Sequence, residues 1–210
     1  MYDVRYVEKN LSSQVGRRNG FYLVNVVGVV FFLFISFFLG PVVHEWSQMA
    51  LLALYDCHYA FSPFFDWRFG MNASVAPFCS LSPLQEVALY SVGIGLNLSL
   101  ALVFMSLSWF LLKRGRFSHS NFCLYLGVGF SFNPIVYFFA DRGNLINLLG
   151  VFGVGDLAFA LPLAGSVLFA LEVVYSYAVV KYYLREYENI RRQIERIRGF
   201  IEDINFGEGV

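Results

Sequence analysis

Charge is what this sequence has least of. Lysine and arginine together account for 15 of 210 residues and aspartate and glutamate for another 15, so the formal net charge is zero. A soluble domain devotes about a quarter of its residues to these four types. A share of 14% cannot cover a water-facing surface of ordinary polarity. The even balance also offers nothing to a polyanion, which excludes nucleic acid as an expected partner. Cysteine is scarce as well: three residues cannot build a disulfide scaffold, and no Cys-x-x-Cys pair suggests a thiolate metal site. There is no internal repeat, no low-complexity linker, and no short apolar region with a small-residue cleavage site that would mark a removable signal peptide.

What the chain has in excess is apolar surface. Hydrophobic residues make up 58% and aromatics 19%, and the mean hydropathy is +0.59. Nothing this apolar stays solvated as a disordered chain. The expected class is an all-α integral membrane protein, a polytopic helical bundle with about four transmembrane segments. Residues 1–20 form a polar N-terminal segment, 21–180 the membrane domain, and 181–210 an amphipathic tail.

The first apolar stretch runs from Phe21 to Tyr55 and contains only His44 and Glu45 among the His, Asp, Glu, Lys and Arg types. About 20 residues suffice to cross the hydrocarbon, so a stretch this long must break, tilt or protrude. Gly40-Pro41 is the expected break, since proline fits the first position of a new helix. Further stretches cover Leu84–Leu112, Phe117–Ala140 and Leu157–Val180, with a polar, aromatic connection over 56–83. Basic residues favour the cytoplasmic side of a membrane. The connections 56–83 and 141–156 hold one each, Arg68 and Arg142, whereas Arg17 and Arg18, Lys113, Arg114 and Arg116, and Lys181 and Arg185 flank the other span ends. Four crossings with both termini cytoplasmic satisfy all of these biases.

In the tail, Ile190, Ile194, Ile197, Ile201 and Ile204 recur at spacings of 4, 3, 4 and 3 among charged residues. That is a narrow apolar stripe on a helix. It could lie on the inner membrane face, dock on a partner chain as an oligomer contact, or pack on its own chain.

Several positions could carry chemistry. His44 and Gln48 are four apart and share a helix face. A His-Glu-x-x-His helix uses that geometry to give zinc two imidazoles, with the glutamate activating a metal-bound water. The bland alternative puts His44 and Glu45 at the membrane interface, solvated or capping a loop. Glu172 lies inside an apolar stretch, where a carboxylate is a functional candidate by default; pairing with a hydroxyl in the bundle is its structural alternative. Cys57 and Cys79 bracket the connection expected to face outward, where a disulfide would persist and two separate thiols are the other outcome. Gly93, Gly95, Gly127 and Gly129 suit close helix approach.

The run Phe31-Phe32-Leu33-Phe34-Ile35 through Val43-His44-Glu45-Trp46-Ser47-Gln48-Met49-Ala50 resembles the zinc-motif helix of the site-2-protease-like intramembrane metalloproteases. Leu81-Ser82-Pro83-Leu84-Gln85 leading into Ser91-Val92-Gly93-Ile94-Gly95-Leu96-Asn97 resembles the family's small-residue second core helix, and Asn133-Pro134 and Gly155-Asp156 follow. The resemblance implies His44 as a metal ligand, Glu45 as the general base and Asp156 as the carboxylate ligand. Asp141 is the alternative ligand, because Asn133-Pro134 through Ala140-Asp141-Arg142-Gly143 also resembles the family's aspartate-bearing run. It further implies zinc as cofactor, transmembrane helices as substrates, and peptide hydrolysis within the bilayer. Gln48 departs from the pattern, since a neutral amide is a poor zinc ligand. Two other readings compete: an inactive relative that binds or scaffolds membrane helices, and a transporter or channel subunit using His44, Glu45 and Glu172 as a polar pathway.

Overall fold

The computed structural model describes Leu23 and residues 25–66, 70–139 and 144–207. The fold is mostly helical. Helix α1 spans Asn25–Leu54, a hairpin of strands β1 (Tyr59–Asp66) and β2 (Gly70–Pro77) follows, and then come α2 (Pro83–Lys113), α3 (Phe117–Tyr137) and the short α4 (Asn144–Val151). A 3-10 turn over Gly155–Ala160 leads into α5 (Leu161–Gly207). The chain divides into two units, Met1–Ala170 and Leu171–Val210. Among the described residues three helices are long and apolar enough to cross a membrane: Asn25–Leu54, Pro83–Lys113 and Gly155–Arg185. Helix α3 is not among them. Its 21 residues include Ser118, His119, Ser120, Asn121 and Asn133, and of these Ser120, Asn121 and Asn133 are buried against the other helices.

Two expectations are corrected here. The chain does not break and restart at Gly40-Pro41. Instead α1 stays continuous by widening into one π turn over Ile35–Leu39, in which the Gly40 N–H donates to the Ile35 carbonyl. Proline lacks an N–H and its ring crowds the preceding turn, and the wider turn absorbs both without ending the helix. The connection 56–83 is also more than a loop. Its strands pair antiparallel, from Tyr59 opposite Pro77 to Asp66 opposite Gly70. Similarly, the connection 141–156 carries α4 and the start of the 3-10 turn.

Local signals explain the helix ends. Ser82 caps α2 in a reciprocal box with Gln85, and Pro83 occupies the first turn, an arrangement that satisfies otherwise orphaned N–H groups. Gly115 adopts a positive φ of 70°, which costs glycine nothing, and turns the chain tightly from α2 into α3. Just beside this turn the buried Ser120 hydroxyl donates to the Ser108 carbonyl at 2.8 Å, tying the two helices together.

Among the described residues the first unit has two apolar centres. Ile35, Ala101 and Phe130 join α1, α2 and α3, with Leu39, Val43, Phe104 and Leu126 around them. Leu52, Cys57 and Leu89 form the other, covered by Tyr55, Tyr59, Val75 and Leu81, so that the hairpin sits on the ends of α1 and α2. Outward faces carry exposed Val26, Val30, Leu33, Leu102 and Val103. An apolar surface of this extent suits lipid rather than water.

Candidate functional site

Helix α1 carries His44, Glu45 and Gln48 into the interior at 0%, 5% and 4% exposure, while its neighbour Trp46 faces out. The 3.6-residue repeat puts His44 and Gln48 on the face turned to α2. There the Gln48 side-chain amide donates to the Leu89 carbonyl at 3.1 Å. One turn further along α2, the imidazole of His44 lies directly on Gly93. A methyl group built on that glycine would collide with ring atoms Nδ1, Cγ and Cε1, so the ring position depends on the missing side chain.

The remaining sides of the ring are closed by residues far away in the sequence. Tyr137, at the end of α3, stacks on the imidazole with ring centres 4.9 Å apart and planes 28° from parallel. Asn144, the first residue of α4, hydrogen-bonds His44 Nε2 through its side-chain amide nitrogen. With that amide donating, Nε2 is the acceptor and the ring proton sits on Nδ1. Nδ1 is fully buried and has no hydrogen-bonding partner among the described residues, which costs about 1–3 kcal/mol. The next turn continues the polar seam. Asn97 donates to the Gly40 carbonyl at 3.0 Å and reaches Asn133 Oδ1 at 3.5 Å, while Asn97 Oδ1 and Ser36 Oγ are buried without partners among the described residues.

Of the residues singled out from sequence, His44, Glu45 and Gln48 are therefore brought together in the interior. Asp156 is not. It is exposed on the 3-10 turn, and among the described residues no three His, Cys, Asp or Glu side chains form a group that could hold a metal. Asp156 thus does not join His44 and Glu45 as the expected carboxylate ligand, because the Gly-Asp step opens a surface turn instead of entering a core helix. Asp141 lies outside the described residues. Glu172 is half-buried in the second unit. Cys57 and Cys79 are joined by a disulfide, with Cα atoms 5.6 Å apart, closing the hairpin over the Leu52 centre.

Comparison with protein-family models, with curated proteins and with solved structures finds no match. The reading therefore rests on the site itself.

A zinc ion needs about three protein donors with lone pairs facing a common point. The described residues do not supply that set. The Nε2 lone pair of His44 is taken by Asn144, Nδ1 lies against Gly93, and Gln48, whose amide nitrogen donates to Leu89, has only a neutral amide oxygen to offer, a poor zinc ligand. Tyr137 and Asn144 are not signalled by the sequence. No local pattern marks them, because Asn144 is 100 residues from the ring it touches.

Proposed function

We propose that this chain is a site-2-protease-like membrane protein that does not hydrolyse peptides and instead binds transmembrane helices of other proteins. One observation carries the reading: both nitrogens of His44 are closed off by the protein's own groups, Asn144 on one side and Gly93 on the other. A metalloprotease needs that imidazole open to an ion, with the neighbouring glutamate facing a bound water. Here Glu45 is buried beside a ring whose lone pair is already used, so the same helix serves as a packed polar core.

The proposed topology has four crossings, with α3 as the fourth, and both termini in the cytoplasm. A polar helix is tolerated in a bilayer when its polar side chains face other helices, and the buried Ser120, Asn121 and Asn133 support placing α3 in that position. Helix α2 has a face suited to a partner helix. Ser91, Gly95 and Ser99 recur every four residues, Gly95 opens onto empty space, and the Ser91 and Ser99 hydroxyls donate within their own helix, to Val87 and Gly95. Small residues at this spacing let helix backbones approach closely in membranes.

The test compares purified wild-type protein with His44→Ala and Glu45→Gln variants. Substoichiometric zinc in all three, together with cleavage of co-expressed single-span reporters that does not differ between wild type and Glu45→Gln, is the expected result. Stoichiometric zinc that His44→Ala abolishes, with cleavage lost in Glu45→Gln, would restore the protease reading.

A further inference from the structure

The second unit, Leu171–Val210, is helical from its first residue through Gly207. Its first part, to Arg185, ends the third of the membrane-length helices. Beyond Arg185 the helix runs on through residues 186–207, about 33 Å at 1.5 Å per residue. Sharp helix bends occur at proline, at paired small residues or at π turns. The last proline in the chain is Pro162, the tail holds a single internal glycine at Gly199, and the helix has no wide turn. A helix leaving the bilayer in this way carries its apolar stripe into water rather than along the lipid surface.

The stripe repeats every 3.5 residues, the period that winds helices into a left-handed supercoil. In heptad terms Tyr187, Ile194 and Ile201 fall at position a, and Ile190, Ile197 and Ile204 at position d. Ile197 is 60% exposed, far more than an isoleucine in a finished core. The flanking positions carry charges that select a partner. Glu186 is at g and Arg191 at e, the two positions that face each other across a parallel, in-register pair. The following g–e pair is Gln193 with Arg198. An antiparallel pairing would instead set the e-position arginines against each other. On the outer face Arg192, at f, pairs with Glu188 at 3.4 Å; Arg191, at e, donates to Glu195 of its own helix at 2.9 Å, an exposed contact that Glu186 of a second copy would share or replace.

We infer that copies of this chain assemble through a parallel coiled coil of residues 187–204. Insertion in a membrane supports that geometry, because every copy inserted in the same sense projects its tail from the same face. Isoleucine at both a and d favours more than two strands, so the assembly contains at least three chains. The inference concerns the second unit and stands independently of what the His44 cluster does.

The test uses the full chain in detergent or nanodiscs. Light scattering of wild type should give the mass of three or more chains, and Ile194→Asp with Ile201→Asp should reduce it to one. Oxidation with copper phenanthroline and oxygen should form interchain disulfides in Ile197→Cys, at a core position, and not in Arg192→Cys, at the outward f position. A wild-type mass of a single chain would overturn the inference. So would an Ile197→Cys thiol that forms no disulfide and is shielded from water-soluble maleimide only when a bilayer is present, since that places the tail on the membrane.

Discussion

The two ends of the α1–α2–α3 contact use one packing device for different ends. Near the π turn, Ile35 settles onto Gly129 of α3, beside Ala101 and Phe130. Two turns further on, His44 settles onto Gly93 of α2, with Tyr137 stacked on its other face. In each place a glycine admits a large side chain to the neighbouring backbone. At the first, every group gained is hydrocarbon, and the energy lies in close contact alone. At the second, the same closeness also buries Nδ1 of the imidazole without a partner, so good packing is offset by poor hydrogen bonding. The ring is covered on one side by Gly93 and on the other by Tyr137.

The contrast is sharpest when each end is broken in turn. Ile35→Ala removes a fully packed side chain and should cost about 4 kcal/mol of stability, read as a lowered unfolding midpoint in detergent. Removing the hairpin closure with Cys57→Ser and Cys79→Ser should cost about 3 kcal/mol, the loop-closure value for a bridge of this span. Reduction of wild type should produce a similar shift, because the bond lies over the Leu52 and Leu89 centre next to Gln48. A smaller loss would mean that the hairpin holds its place without the bridge. Gly93→Ala should cost about 2 kcal/mol, the overpacking range, because Tyr137 leaves the imidazole no room to retreat. Combined with His44→Ala, much of that loss should return, giving a clear coupling between the two positions. Additive losses would show that Gly93 matters for some reason other than the ring.

Much of the fold could be read from the sequence, for a simple reason. Runs of apolar residues long enough to span hydrocarbon admit few structures other than helices. The burial of His44, Glu45 and Gln48 was not decided by the sequence, because two ionisable groups, His44 and Glu45, inside such a run suit either an interior position or the membrane interface. The hairpin was not readable either. Pro63 and Pro77 interrupt its strands, and the segment Tyr59–Asp66 lacks regular apolar alternation. A two-stranded ribbon leaves each strand an unpaired edge that tolerates proline, so neither signal is required. Gly-Pro fits a π turn as well as a break, so the sequence alone does not separate a continuous α1 from an interrupted one. The partners of the ring were hidden altogether. Tyr137 and Asn144 meet His44 only because α3 and α4 return to it, and Asp156, chosen by analogy, lies on an exposed turn.

The last experiment asks whether the polar end has any purpose that hydrocarbon would not serve. Replacing one partner of a buried hydrogen bond leaves the other unsatisfied, whereas replacing both with apolar groups of similar shape is close to neutral. His44→Leu alone strands the Asn144 amide and should cost about 1–3 kcal/mol. In the double variant His44→Leu with Asn144→Leu, the unpaired Nδ1 and the stranded amide both disappear. Its stability should lie within about 1 kcal/mol of wild type, measured by the same unfolding midpoint. Near-neutral stability together with unchanged capture of the proposed partner helices would make the cluster a packing element only. Near-neutral stability with capture lost would instead make the imidazole and its amide part of the recognition surface, retained for what they bind and not for what they hold together.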